Sequence, residues 1–164
     1  MRRVKAFVLS YLILTGLWLV LSEPSLSEFI IGSAVSILTS LIFASKLSIL
    51  GDIRLNPKAI FCTVKYIFVF LHELFKSAID VSGRVLSPSL PINPGIVKVR
   101  TKLKSKVGRL VLANSITLTP GTMTVETKGE FFYIHWIDIK TNDIESATEA
   151  IVNTFEKHLE VMYG

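Results

Sequence analysis

The sequence predicts a membrane protein that combines an α-helical hairpin and an amphipathic helix with a small α+β domain at its C-terminal end. Half of its 164 residues are hydrophobic, and the mean hydropathy of +0.53 exceeds that of most soluble domains of this size. The apolar residues concentrate before about Val81, whereas later residues alternate between polar and apolar types. The two regions are therefore expected to face different solvents, lipid and water.

The composition also limits the chemistry that this chain can carry. The single cysteine, Cys62, and the scattered His72, His135 and His158 do not form a zinc or iron–sulfur ligand set. No glycine-rich phosphate loop and no nucleophile–base signature occurs in the sequence. The formal charge of +5 and the isoelectric point near 9.4 indicate loops held near anionic lipid rather than nucleic-acid binding. We expect no catalytic residue, no metal and no cofactor.

Residues 1–56 are predicted to form a transmembrane hairpin. Ala6–Leu21 and Phe29–Ser45 are uncharged runs separated by a short turn, which gives spans at about 6–22 and 29–45. A signal peptide is the alternative for the first run, but no A-x-A cleavage pattern follows it. Each run is near the lower limit of roughly 17 residues for a spanning helix. Lys5 and Lys46 are therefore expected to reach the membrane interfaces, with Trp18 as an interfacial anchor.

The orientation of the hairpin follows from its charges. Basic residues precede the first run and follow the second, whereas the intervening loop carries only acidic ones, so the positive-inside rule places both ends in the cytoplasm. Ion pathways through lipid need ionisable side chains inside the membrane, and neither run contains one. The second run has small residues four apart, which permits close approach of a helix from a partner subunit or from the hairpin itself. These residues are Gly32, Ser36 and Ser40.

Residues 57–81 form a third hydrophobic segment with a polar stripe. At 100° per residue, Lys65, His72, Glu73 and Lys76 fall on one side of a helix, opposite its aromatic and aliphatic residues. One interpretation is an interfacial helix whose stripe faces headgroups or water. The other is a third span whose stripe faces partner subunits, with His72 and Glu73 in a proton path. Two spans would keep the following domain in the cytoplasm, whereas a third would export it.

Residues 82–95 contain three prolines and are predicted to form an extended linker before a domain at 96–164. In this domain the alternation of polar and apolar residues predicts a strand at 96–103. A helix is predicted at 106–118, and two further strands are predicted at 123–127 and 131–139. Pro120 and Gly121 suit a type II turn after the helix. Asn142 with Glu145 resembles a capping box that begins one final helix. The last strand is apolar on both faces and should be central.

The order βαββα, with strand order 1-3-2 and both helices on one face, would be a truncated ferredoxin-like fold. About 70 residues bury only a modest core, so the domain is expected to depend on a partner or the membrane for stability. The first strand and the residues after it are basic, which predicts a solvated edge that resists edge-to-edge pairing, contact with anionic lipid headgroups, or both. The residues predicted to contact headgroups are Lys98, Arg100, Lys102 and Lys104.

Leu112–Thr122 reads LANSITLTPGT, and this motif resembles the signature of the E subunit of the multisubunit Mrp-type cation/proton antiporters. An equivalent subunit occurs in membrane-bound hydrogenases and related complexes. The likeness covers nearly the whole chain, although only the motif is specific. It implies an accessory subunit without a cofactor, while the large antiporter-like subunits translocate the ions. The polar side chains of the motif are expected to satisfy backbone groups where the helix ends, with direct contact to a partner or ion as the alternative. The motif residues are Asn114, Ser115, Thr117, Thr119, Pro120, Gly121 and Thr122.

Three hypotheses follow for function. The first is a non-catalytic accessory or assembly subunit of a sodium/proton antiporter complex, multi-pass in the cell membrane, with its C-terminal domain in the cytoplasm. The second is the equivalent subunit of a membrane-bound hydrogenase or related redox-driven pump. The third is a stand-alone membrane-tethered adaptor. The first two predict other membrane subunits and anionic lipid as partners, and all three exclude nucleic acid.

Overall fold

The computed structural model describes residues 2–43, 51–54 and 56–164. The chain divides into two compact units, residues 1–53 and residues 54–164. The predicted boundary at residue 96 is therefore wrong, because the segment at 57–81 belongs to the same unit as the α+β domain.

The first unit is a helical hairpin. It consists of α1 (Arg2–Leu21) and α2 (Leu26–Ile42). Ser25 ends the turn and begins α2, since its Oγ accepts a hydrogen bond from the Glu28 amide at 3.2 Å. Val4–Leu21 is long and apolar enough to cross a membrane, and α2 is a shorter apolar helix. The predicted spans overlap these helices, although residues 44–45 of the second span and Lys46 lie outside the described residues.

The small residues of α2 pack against α1. A Cβ atom on Gly32 would lie 2.5 Å from Trp18 Cδ1, so only glycine allows this approach. Ser36 and Ser40 are buried, and the Ser10 hydroxyl donates a hydrogen bond to Ser40 Oγ at 3.1 Å. Of the two alternatives for this face, the structure shows packing within the hairpin. The indole of Trp18 donates to Glu28 Oε2 at 3.0 Å, and its position at a membrane interface stays a prediction.

The second unit contains a helix, a sheet and three more helices. In chain order these are α3 (Pro57–Leu86), β1 (Gly95–Arg100), α4 (Lys106–Leu118), β2 (Thr122–Lys128), β3 (Phe131–Trp136), α5 (Ile144–Ile151) and α6 (Asn153–Tyr163). The strands are antiparallel in the order β1-β3-β2. This is the predicted order, and it leaves the doubly apolar strand in the centre.

The core of the second unit lies between the sheet and the helices. Val97, Val99, Phe132 and Ile134 point inward from β1 and β3 and are at most 4% exposed. They pack with side chains of α4, α5 and α6, and Cys62 and Tyr66 of α3 belong to the same cluster. The main contacts of α3 are with α6 rather than with the strands. The α+β domain therefore completes its core with the chain's own third helix.

Several predicted boundaries were wrong. The helix α3 continues to Leu86, so the linker begins at Ser87 and not at residue 82. No proline interrupts the chain between Pro57 and Pro88, and Arg84 pairs with Asp80 one turn earlier at 2.8 Å, which favours a continued helix. The strand β3 ends at Trp136 and not at residue 139, although the Ile137 amide still donates to the Gly121 carbonyl at 2.9 Å in the same register.

The predicted final helix is two helices with a break at Val152. The first of them begins after Asp143 and not after Asn142, since the Asp143 carboxylate accepts hydrogen bonds from the amide and the hydroxyl of Ser146, each at 2.8 Å. These bonds hold the pKa of Asp143 below its usual value. The element order is thus βαββαα after α3.

Candidate functional site

The signature motif forms the junction between α4 and β2. Ser115 Oγ donates to the Val111 carbonyl at 2.7 Å, and Thr119 Oγ1 donates to the Ser115 carbonyl at 2.7 Å. Thr122 Oγ1 lies between the carbonyls of Ile116 and Thr119, at 2.7 and 3.0 Å. The last carbonyls of a helix have no partner within the helix, and at this end the hydroxyls of Thr119 and Thr122 add hydrogen bonds to those from the Thr119 and Thr122 amides. The hydroxyls of the motif are thus engaged with the chain's own backbone.

The turn after α4 has the geometry of a type II turn. The Thr122 amide donates to the Thr119 carbonyl at 3.3 Å, and Gly121 has φ +92°. A Cβ atom at this position would lie 3.0 Å from Ile137 Cγ2 and 3.4 Å from Val81 Cγ2. Gly121 is therefore required both by its backbone conformation and by the close approach of α3 and of the chain that follows β3.

The two remaining polar residues of the motif, Thr117 and Asn114, differ in whether their side chains form hydrogen bonds within the domain. Thr117 Oγ1 donates to the Ala113 carbonyl at 2.9 Å and accepts from the Thr124 amide at 3.1 Å, so it joins α4 to the start of β2. Asn114 is exposed on the outer side of α4 and stands apart from these bonds. Asn114 is the motif residue whose contact with a partner remains a prediction.

Tyr66 connects α3 to the motif. Its hydroxyl forms a short hydrogen bond with Ser115 Oγ inside the core. Its ring lies within 6.5 Å of the rings of Phe70, Phe155 and His158, centroid to centroid. A buried tyrosine hydroxyl needs a partner, and here the motif provides it. Sequence reasoning missed Tyr66, because its spacing on α3 only indicated the side of the helix and not what would cover it.

His158 is buried beside Cys62. The Cys62 thiol lies 3.6 Å from His158 Nδ1, and His158 is 6% exposed. Burial, then the positive charges of Lys157 and Lys65, lower the pKa of His158. This histidine is therefore neutral at pH 7 and packs as part of the core.

The second half of α3 borders a cavity at the signature turn. Arg84 pairs with Asp80 at 2.8 Å and with Asp138 at 2.9 Å, and also donates to the Pro91 carbonyl at 2.7 Å. The hydrogen bond from Arg84 lowers the pKa of Asp80 and raises that of Arg84. The cavity has a volume of about 340 Å³ and both signs of charge in its wall. Its lining includes Glu73, Lys76, Gly121, Thr122, Asp138 and Lys140.

Comparison with known proteins identifies the family. A family model described as a Na+/H+ ion antiporter subunit matches residues 11–162. The chain belongs to the family of Na+/H+ antiporter E subunits. The E subunit of Alkalihalophilus pseudofirmus is 36% identical over 132 residues, 79% of this chain and 80% of that protein. The E subunit of Bacillus subtilis is 32% identical over 146 residues, 87% of this chain and 89% of that protein.

A solved structure has a similar fold over nearly the whole chain. It is a chain of the membrane-bound sulfane sulfur reductase, an archaeal respiratory membrane complex. The two chains share 39% identity with a TM-score of 0.84, over 96% of this chain and 98% of the other. This E subunit is thus similar both to antiporter subunits and to a chain of a respiratory complex.

The remaining residues predicted as sites lie on two separate surfaces of this E subunit. Lys65, His72 and Lys76 are exposed on α3, whereas Glu73 is half-buried and lies 3.5 Å from Lys76. Their contact with partners stays a prediction.

The basic residues of β1 project from the open face of the sheet. Lys98 Nζ lies 3.8 Å from the centroid of the Phe131 ring, and the Arg100 guanidinium lies 5.3 Å from the same centroid. Lys102 and Lys104 follow in the exposed positions of the next segment. The structure also shows a role that sequence reasoning missed: Glu156 is 4% exposed and accepts hydrogen bonds from Thr101 and from the Lys102 amide.

Proposed function

We propose that this chain is a non-catalytic accessory subunit that helps to assemble a multisubunit antiporter-type membrane complex. The observation that carries the proposal is the use of the signature motif: its hydroxyls are engaged with the chain's own backbone and with Tyr66. Such a motif specifies the shape of the domain, and a domain of fixed shape is what a neighbouring subunit recognises. The relatives in Alkalihalophilus pseudofirmus and Bacillus subtilis are named as antiporter subunits.

Co-purification from native membranes tests this proposal. A tagged chain should bring down other membrane subunits, and on a native gel it should migrate far above its own mass of 18.3 kDa. A stand-alone adaptor would migrate by itself, and that result would refute the proposal.

A redox-driven complex is the second candidate for the assembly. It is supported by the 39% identity over 96% of the chain with a chain of the sulfane sulfur reductase. The same purification distinguishes the two, because a redox-driven complex would carry the visible absorbance of iron–sulfur clusters. An antiporter would lack this absorbance. In either complex the local role of this chain would be the same.

We also propose that the α+β domain is a truncated ferredoxin-like module on the cytoplasmic side, with α1 and α2 as the two spans. The strand order β1-β3-β2 and the helices on one face support the first part. The basic residues on both sides of the hairpin support the second. Protease added to sealed right-side-out vesicles should spare the domain, and protease added to inverted vesicles should cleave it. Cleavage in right-side-out vesicles would mean an odd number of spans.

A further inference from the structure

The helix α3 has two faces with opposite surroundings. One face contacts the rest of the second unit near both ends, at Cys62 beside His158, at Tyr66 beside Ser115 and at Arg84 beside Asp138. The opposite face is apolar and exposed, and its large residues from Ile60 to Ile79 are between 39% and 74% exposed. These residues are Ile60, Phe61, Val64, Ile67, Phe68, Leu71, Phe75 and Ile79, and we call them the outer face of α3.

The contacts of the inner face are incompatible with a third span. Cys62 and Arg84 are 22 positions apart, which corresponds to about 33 Å along a helix, and the hydrocarbon core of a bilayer is only about 30 Å thick. A crossing α3 would therefore carry the sheet and α4, α5 and α6 into the hydrocarbon with it. That unit has two edge strands and many charged side chains, which lipid does not tolerate.

One edge of the outer face carries a row of lysines. On a helical projection Lys58, Lys65 and Lys76 fall within roughly 20° of one another, between the outer face and the inner face. All three are exposed, and His72 is the nearest neighbour on this edge. A row of lysines beside an apolar face is the pattern of helices that lie in the plane of an anionic membrane surface, with the ammonium groups at the headgroups.

We propose that α3 lies flat on the membrane, with its outer face in the boundary between headgroups and acyl chains and its lysine edge on anionic headgroups. The α+β domain then sits on the side of α3 that faces the water. This proposal rests on the membrane location proposed above and adds the orientation of the domain. Since α4 and α6 separate α3 from the sheet, the open face of the sheet, with Lys98, Arg100 and Phe131, points away from the lipid. The membrane contact is thereby assigned to α3 instead of to Lys98 and Arg100.

Spin-label depth measurements on the full chain test the proposal. Single cysteines replace Phe61, Phe68 and Phe75, seven residues apart along the outer face, in vesicles of phosphatidylcholine and phosphatidylglycerol. Cys62 is left in place because it is buried, and the wild-type chain measures any background labelling. Ile13→Cys on α1 is the deep control, and Lys98→Cys is the aqueous control.

We expect the three outer-face labels to report one shared shallow depth, about 5–10 Å into the boundary region, with Ile13→Cys deeper and Lys98→Cys in water. Replacing all three edge lysines with glutamate should make the outer-face labels shallower. A depth that changes steadily from position 61 to position 75 would show a crossing helix and overturn the proposal. Aqueous readings at all three positions would overturn it as well.

The same labels in the native complex separate lipid from protein. Lipid contact leaves the labels accessible to oxygen, whereas a covering protein shields them from oxygen and from polar quenchers alike. Shielding at all three positions would show that a partner subunit occupies the outer face, and the lipid proposal would be wrong. Failure of the complex to co-purify would instead count against the proposed function, so the two failures are distinguishable.

Discussion

Gly121 occupies a position where any side chain would be strained. Its φ of +92° lies in the region that L-residues avoid, and a Cβ atom would press on Ile137. We predict that Gly121→Ala lowers the free energy of unfolding of the second unit by about 2–3 kcal/mol, from backbone strain and steric overlap together. Pulse proteolysis in urea measures this loss on the full chain in detergent.

Gly129→Ala is the matched control. Gly129 also has a positive φ, +57°, but no atom of the described residues lies within 4 Å of the position that a Cβ atom would take. This variant carries the backbone penalty alone and should lose only about 1 kcal/mol. Equal losses for the two glycines would show that the contact with Ile137 contributes nothing.

We expect His158 to make the stability of the second unit depend on pH. Burial, Lys157 and Lys65 hold its pKa below the ordinary value of 6.5. The unfolded chain therefore binds more protons than the folded chain as the pH falls below about 6.5, and stability falls with it. Well above that pH, His158 is neutral in both the folded and the unfolded chain, so it no longer lowers the stability. Asp80 and Asp143 do not contribute in this window, because the pKa of each carboxyl lies below the ordinary value of 3.8.

We predict that the wild-type unit is less stable at pH 5.5 than at pH 7.5, and that His158→Phe removes most of this difference. Urea unfolding of both proteins at the two pH values measures it. His135→Phe is the control, since His135 is on the open face of the sheet and is only half-buried. The attribution is wrong if His158→Phe retains the full pH dependence.

At the scale of elements, the hairpin is held by small side chains. Ser10 Oγ and Ser40 Oγ are 3.1 Å apart, close enough for cysteines at the two positions to meet. We predict that Ser10→Cys with Ser40→Cys forms a disulfide on mild oxidation, detected as protection from a maleimide-polyethylene glycol mass shift. Ser10→Cys with Ile37→Cys should not cross-link, because Ile37 is 42% exposed on another side of α2. Cross-linking of both pairs would indicate a loose hairpin.

The bond between Tyr66 and Ser115 joins α3 to α4. We predict that Tyr66→Phe and Ser115→Ala each destabilise the second unit by about 1–2 kcal/mol, because each leaves the other hydroxyl poorer in partners inside the core. A double-mutant cycle should give a coupling energy of about 1 kcal/mol. Thr117→Ala with Tyr66→Phe is the control pair, since Thr117 bonds only within α4 and to β2. Additive losses for Tyr66 and Ser115 would mean that the bond does not couple the helices.

At the scale of the whole molecule, the chain has two units with different tasks. The hairpin of α1 and α2 is apolar and has no charged side chain from Ala6 to Leu21 or from Phe29 to Phe43. The second unit has a fixed core that includes α3. We predict that the purified chain alone, reconstituted in liposomes, moves neither sodium nor protons above the rate of empty liposomes. Pyranine and sodium-dye fluorescence measure the two fluxes, and ion movement by the single chain would refute an accessory role.

The elements that depend on local chemistry were predictable from the sequence. The apolar runs predicted α1 and α2, the alternation of residues predicted β1, the strand-like segments around Gly129 predicted β2 and β3, and Pro120 with Gly121 predicted the turn after α4. The motif's hydroxyls were expected at backbone groups, because helix ends always leave such groups without partners. The sequence did not identify the first residue of a helix where two neighbouring residues could both cap it, as with Asn142 and Asp143 at the start of α5.

Which surfaces meet was not predictable from the sequence and follows from the folded arrangement of the helices and strands. Gly32, Ser36 and Ser40 could have faced a partner subunit, and the position of Trp18 and Ser10 on α1 assigned them to the hairpin. Likewise the amphipathic pattern of α3 was compatible with two orientations in the membrane. Periodicity gives the angle between two faces of a helix, but it does not say what covers either face. Tyr66 at Ser115 and Arg84 at Asp138 supply that information, because contacts between residues distant in sequence form only when the whole unit folds.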